Sequence, residues 1–179
     1  MKRLSKDEYL WHIAFAAAKR VTCDRFRGGC VIARDGVLIA TGYNGSAPGE
    51  DHCDDVGHDL IAVYPAHHGS RTGVDSREKQ GEVHCVRTIH AEVNAIVNAA
   101  ILGVSIKECD WFCTGVPCWA CSRTIARLTP DRIFMCIDQG GVDDNKRGIA
   151  EWWRRRHSHY GTRLFAKTLE ELVEMGVAE

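Results

Sequence analysis

Apolar positions fall along this chain in two rhythms. Near the start, Tyr9, Ile13, Ala16 and Ala17 recur at helical spacing behind Ser5-Lys6-Asp7-Glu8, a capping box with Glu three residues after Ser. This predicts a helix to about Arg20. Two short apolar runs follow, Cys30–Ala33 and Val37–Ala40, joined at Arg34-Asp35-Gly36 as a hairpin. Trp111–Cys113 and Ile133–Ile137 read as further short strands. His90 opens a helical run through Leu102 that Gly103 can cap. Pro117 suits the turn before a second such run, through Leu128. Asp144–His157 reads as a helix, Arg163–Phe165 as a last strand and Thr168–Met175 as a last helix. Apolar strands alternating with helices predict a partly parallel sheet covered on both faces. Residues 46–82 break the pattern. They are rich in Gly, Asp and His and read as one long loop insertion, functional or disordered.

Composition narrows the class. The 179 residues predict a single domain over 1–179, with 45% hydrophobic and 26% charged residues, as in an ordinary globular protein. A formal net charge of −1 excludes a global basic field for nucleic acid and favours a small substrate, although a local basic patch escapes this test. The nine cysteines are odd in number, and the first residues run into a helix rather than an apolar leader. No membrane span is expected. A reducing, cytoplasmic setting with thiols on metal fits better than a disulfide framework.

The chemistry concentrates in His90-Ala91-Glu92 and Pro117-Cys118-Trp119-Ala120-Cys121. One imidazole and two thiols can hold zinc and leave its fourth position to water, the catalytic pattern. Zinc brings the pKa of such water from about 15.7 to roughly 7. Cys118 and Cys121 stand in the first turn of their helix, where the positive end of its dipole favours thiolate. His90 and Glu92 do not share a helix face, so zinc is expected off the helix end. Two helix N-termini should then meet at the metal, with Glu92 beside the water but not ligating. A closed zinc knot, a redox pair or buried free thiols would use C-x-x-C alone. The full order, each part heading a helix, favours the catalytic reading.

The hairpin, Gly42-Tyr43-Asn44-Gly45, His52-Cys53-Asp54-Asp55, Cys23-x-Arg25 and the run His84-Cys85-Val86-Arg87-Thr88-Ile89-His90-Ala91-Glu92-Val93-Asn94-Ala95 resemble the cytidine deaminase superfamily. Over roughly residues 5–140 the likeness is greatest to deoxycytidylate (dCMP) deaminases, including the bacterial late-competence type and phage-encoded members. The stretch after Gly141 carries no assignable motif. The resemblance implies an α/β fold of three α/β/α layers around a mixed five-stranded sheet. It implies zinc-dependent hydrolysis of dCMP to dUMP and ammonia, feeding thymidylate synthesis, with His90, Cys118 and Cys121 on zinc and Glu92 as proton shuttle. It implies substrate contact by Asn44, which as part of Asn-Gly also suits a plain turn. It further implies activation by dCTP and inhibition by dTTP at Gly42, Tyr43, Asn44 and Gly45, with magnesium on the phosphates, and a homo-oligomer, a hexamer.

A second, structural zinc is expected on Cys23, Cys53 and Cys85, with His84 as fourth ligand and His52, His58, His67 and His68 as rivals. Adjacent His84 and Cys85 on one ion is geometrically awkward. Cys30, Cys109, Cys113 and Cys136 read as strand or core residues. Arg25 and Arg27 are the expected phosphate partners, with Arg71 and Arg87 behind them, since guanidinium matches phosphate with paired hydrogen bonds. Arg154-Arg155-Arg156 beside Trp152-Trp153, with His157 and His159, reads as a solvated face over packed tryptophans, or as a nucleic-acid contact. The competing functions are a deaminase of tRNA, polynucleotide or free base, and a non-catalytic zinc or nucleotide-binding module. Such a module has no need of Glu92.

Overall fold

A computed structural model describes residues 3–63, 82–139 and 144–178. The elements run α1 (Lys6–Ala18), β1 (Gly29–Arg34), β2 (Val37–Tyr43), α2 (Cys53–Val56), β3 (Leu60–Val63), β4 (Glu82–Cys85), α3 (Ala91–Ile101), β5 (Asp110–Cys113), α4 (Trp119–Arg127), β6 (Arg132–Cys136), α5 (Asp144–Tyr160), β7 (Arg163–Lys167) and α6 (Leu169–Glu174). Five strands form one sheet in the order β2-β1-β5-β6-β7. Strand β1 is antiparallel to β2 and β5, while β5, β6 and β7 are parallel, so the sheet is mixed as expected. The hairpin turn places Asp35 and Gly36 at φ 55° and 77°, the double positive φ of the tight turn that matches strand twist.

Strand alternation divides the core into two layers. Cys30, Ile32, Trp111, Cys113, Ile133 and Met135 face α3, α4 and α5. Val31, Ala33, Phe112, Phe134 and Cys136 face α1 and α6. Both faces of β1, β5 and β6 are therefore buried, which is why these segments read as unbroken apolar runs. Phe112, Phe134 and Phe165 stack across neighbouring strands at 4.2 and 4.6 Å between centroids. Arg132 ties β6 to β5 and to α1, donating to both carboxylate oxygens of Asp110 at 2.9 and 2.6 Å and to Asp7 at 2.8 Å.

The sequence reading departs from the structure chiefly in residues 46–82. Among the described residues this stretch holds α2 and β3, and β3 pairs antiparallel with β4 from Leu60↔Cys85 to Val63↔Glu82, while the rest of the expected loop, 64–81, lies outside the described residues. Leu60-Ile61-Ala62-Val63 is an apolar run of four, too short to stand out in a segment with little periodicity. Helix α5 extends past His157 to Tyr160. The last helix starts at a second capping box, Thr168 with Glu171. Among the described residues no helix is long and apolar enough to cross a membrane.

Two helices lie on strands with no space for a side chain between them. A Cβ at Gly42 would collide with the Ala91 carbonyl and the Ala95 amide of α3, and one at Gly29 with the Ala14 carbonyl of α1. Gly42→Ala is therefore expected to cost about 1–3 kcal/mol, the usual range for overpacking, read as a lower midpoint in urea unfolding. An unchanged midpoint would show that α3 can retreat freely.

Candidate functional site

Three residues from two helix starts converge beside the sheet. His90 is the N-cap of α3, Cys118 the N-cap of α4, and Cys121 lies in the first turn of α4. Their ligand atoms lie within 4.8 Å of one another, and His90 Nδ1 is 3.5 Å from each sulfur. A tetrahedral zinc with Zn–S near 2.3 Å and Zn–N near 2.05 Å sets S···N at about 3.6 Å. The trio fits that ion. Among the described residues no fourth His, Cys, Asp or Glu joins it.

The local structure explains why these side chains are available. His90 makes no hydrogen bond that caps its own helix. Asn44, at the end of β2, does so instead: its Oδ1 accepts from the Ala91 amide at 2.8 Å. On α4 the Cys118 sulfur accepts from the Cys121 amide at 3.5 Å, so the thiol itself is the cap. Ser122 donates to the Pro117 carbonyl at 3.0 Å and accepts from Trp153 Nε1 at 3.2 Å, which fixes α4 against α5.

Hydrogen bonding from Cys121, aided by His90 and the Cys121 amide, holds the Cys118 thiol down at about 4 despite burial. Cys121 is pushed up by Cys118 and by burial. A thiolate and a thiol thus stand ready, and a cation would displace the remaining proton. Glu92 is only 9% exposed. Burial raises its carboxyl above the ordinary carboxylate value, against the pull of His90.

His90, Glu92 and Cys118 line a cavity of about 300 Å³, together with Arg25, Phe26, Asn44, His84, Thr88, Lys146 and others. Asn44 lies on its wall, as expected of a substrate contact, but its amide is already engaged: Nδ2 donates to the Phe26 carbonyl at 2.9 Å. Arg25 reaches the cavity and Arg27 is not among its lining residues. Arg87 lines a separate polar hollow with Glu50, Asp51 and Asp59. His67, His68 and Arg71 lie outside the described residues, as do the side chains of Arg156, His157 and His159. Trp152 packs edge-on against Trp119 and Trp153, the tryptophan packing expected at the start. Cys30, Cys109, Cys113 and Cys136 are all buried, as read from sequence.

A second cluster forms from Cys23, Cys53, Cys85 and His58. This corrects the expected fourth member, His84. Neighbouring residues on a strand point to opposite faces, so β4 sends Cys85 to the cluster and His84 to the cavity, where its ring lies 6.2 Å from that of His90. His58 Nδ1 is 3.6 Å from the Cys23 sulfur, and the Cys53 and Cys85 sulfurs are 3.5 Å apart. Asp24 holds the other nitrogen of His58 at 3.0 Å, the carboxylate–histidine support usual behind a metal-bound imidazole. Burial pushes the Cys53 thiol up to about 11. Burial also raises Cys85, but hydrogen bonding at Asp59, Cys53 and Thr88 outweighs it and leaves about 6. Four donors whose ligand atoms all lie within 4.8 Å of one another suit a closed zinc site. Sequence reasoning named His58 only as a rival ligand for this cluster, and it did not single out Lys146 of the cavity wall.

Residues 4–137 match the family described as the cytidine and deoxycytidylate deaminase zinc-binding region. The chain belongs to this family of deaminases. It is 35% identical over 138 residues to ComE operon protein 2 of Bacillus subtilis, covering 77% of this chain and 62% of that protein's length. It is 34% identical over 136 residues to the deoxycytidylate deaminase of Mycobacterium phage D29, covering 74% of this chain and 95% of that one. Among solved structures it is similar to the dCMP deaminase of cyanophage S-TIM5 in complex with dCMP and dUMP. That likeness has a TM-score of 0.62 at 20% identity and covers 93% of this chain and 100% of that one, which shows the shared fold.

The two clusters are separable by mutation. Cys118→Ala is expected to lower bound zinc by one equivalent per chain, and Cys85→Ala by one equivalent from the other cluster, measured by atomic emission on dialysed protein. A wild-type content of one, unaffected by Cys85→Ala, would leave the second cluster as packed thiols.

Proposed function

We propose that the chain catalyses zinc-dependent hydrolytic deamination of dCMP to dUMP with release of ammonia. The observation that carries this reading is a buried carboxylate, Glu92, lining the same cavity as His90 and Cys118, two of a trio of donors that no fourth His, Cys, Asp or Glu joins among the described residues. His90, Cys118 and Cys121 would hold the zinc. When bound, zinc supplies a Lewis acid that lets water ionise near neutral pH. The deaminase family and the likeness to the deoxycytidylate deaminase of phage D29 support the choice of substrate.

Glu92 then does the proton work. Its carboxylate takes one proton from the attacking water and delivers it to ring N3 as C4 is attacked, then takes the second proton from the new C4 hydroxyl and gives it to the amine as the C4–N bond breaks. Desolvation suits the role, because a raised carboxyl pKa brings uptake and release closer to neutral pH. Cys23, Cys53, Cys85 and His58 would hold a structural zinc that fixes β4 beside the cavity.

Regulation by dCTP and dTTP, with magnesium on their phosphates, rests on family resemblance. The packing narrows where an effector could sit. Gly42 is taken up by α3, so a nucleotide would meet the segment at Tyr43 and Gly45, where the Arg20 guanidinium lies 5.6 Å from the Tyr43 ring. A homo-oligomer, hexameric in the resembling enzymes, would bury the apolar stripe of Val93, Val97 and Ile101 exposed on α3. The net charge of −1 favours the mononucleotide over a tRNA or polynucleotide substrate.

Glu92→Gln is expected to lower kcat by about 10² to 10⁴ while zinc content holds. The assay is ammonia release from dCMP, CMP, deoxycytidine and dCTP, with and without chelator. Full turnover by the Gln variant would remove the proton shuttle. Regulation predicts a sigmoidal dCMP curve that dCTP makes hyperbolic and dTTP depresses; curves indifferent to both nucleotides would remove it.

A further inference from the structure

Lys146 stands on α5, beyond the residues that match the family, in a stretch without motifs. It nevertheless lines the catalytic cavity, together with Arg25 and His84. Among the described lining residues Arg25 and Lys146 are the arginine and lysine, and Glu92 is the single carboxylate.

The position of Lys146 is held by a chain of hydrogen bonds. Its Nζ donates to the Gln139 carbonyl at 3.2 Å, and Gln139 Nε2 donates to the Arg27 carbonyl at 3.3 Å. The same short loop is bound at the Phe26 carbonyl by Asn44 Nδ2, and Asn44 Oδ1 accepts from Ala91 at the head of the helix carrying Glu92. Helix α5 is itself anchored on the cysteine helix through Trp152 against Trp119, 5.9 Å between centroids, and through Trp153 on Ser122. The head of the Glu92 helix, the Arg25–Arg27 loop and Lys146 thus belong to one hydrogen-bonded frame. A lysine in the first turn of a helix also opposes the helix dipole, so the placement costs local stability. A local rule broken at a cavity wall points to function.

We propose that Lys146 binds the phosphomonoester of the substrate and sets the preference for a nucleotide over its nucleoside. The proposal rests on the deaminase reading above and names the residue that would make the substrate a monophosphate. A phosphomonoester carries about 1.5 to 2 negative charges at pH 7. Arg25 and Lys146 on one wall match that charge, the first by paired hydrogen bonds and the second as a point charge. With the aminopyrimidine at Glu92, the substrate's one anionic group then meets cations within the same cavity.

The test compares wild type, Lys146→Ala and Lys146→Arg. Steady-state kinetics are taken on dCMP and deoxycytidine, and calorimetry measures binding of dUMP and deoxyuridine. For Lys146→Ala the expected result is a KM for dCMP raised about tenfold or more, the usual worth of a charge-assisted hydrogen bond. The preference for dCMP over deoxycytidine falls by a similar factor, and dUMP binding weakens relative to deoxyuridine. Lys146→Arg keeps most of the preference. If Lys146→Ala loses its zinc or its fold, Lys146→Gln, which retains a donor for the Gln139 carbonyl, carries the same comparison. Equal losses on dCMP and deoxycytidine would overturn the proposal and leave Lys146 a structural residue of an intact dCMP deaminase. A wild type that deaminates other compounds but not dCMP would overturn the parent reading and this proposal with it.

Discussion

The site depends on how closely α3 lies on β2. Because Gly42 has no side chain, the Ala91 and Ala95 backbone can rest directly on the strand. That contact sets the height of the helix over the sheet. Two residues further along the chain, Asn44 is then in reach of the first helical amide and caps it from outside. A helix must satisfy its first amides somehow. Since the neighbouring strand supplies the acceptor, His90 occupies the N-cap position without spending its ring on capping. The Cys118 sulfur solves the same problem on α4 by capping with the atom that would also bind metal. Both helix starts place their positive ends near the thiols, which is the electrostatic setting that favours thiolate.

The two donor clusters differ in a way that divides their roles. One has three donors and an adjacent buried carboxylate, and it opens into a cavity. The other has four donors, with a carboxylate behind its histidine. Three ligands leave room for chemistry, and four close the shell. The contrast also accounts for the thiol count. Five of the nine cysteines fall in these two clusters, and the four buried on or beside strands serve the core.

Long periodic segments were legible because burial of one face is a repeated signal. The capping box at Ser5, the hairpin at Asp35-Gly36 and the helices headed by His90 and Cys118 fall where the residue pattern places them. Convergence across the chain was harder. The choice of His58 over His84 depends on which face of β4 each residue occupies, and β4 was not visible inside a segment with little periodicity. Asn44 reads from sequence as a substrate contact, with a plain Asn-Gly turn as the alternative, and neither reading foresees a helix cap. Its capping bond to Ala91 spans 47 residues, and no local pattern encodes that. Lys146 is the extreme case: a single cation on a polar helix becomes distinctive only once the tertiary fold carries it to a cavity built by other elements.

Strand β4 ties the two clusters into one structure. Cys85 turns toward Cys23, Cys53 and His58, while the preceding residue, His84, lies against the ring of His90. Cys23 and Cys85 also form part of the cavity wall. A two-stranded ribbon by itself is marginally stable in water, and among the described residues β3 and β4 form a sheet of two strands. Leu60 and Ile61 on β3 are exposed. Cys85, at the end of β4, is the residue that reaches the four-donor cluster. A cation on the four-donor cluster would join that end to Cys23, at the entrance to the loop carrying Arg25 and Phe26, and to Cys53 on α2. The distant metal would in this way fix the wall against which substrate lies, and its stabilising effect would be felt as geometry at His90 rather than as chemistry of its own.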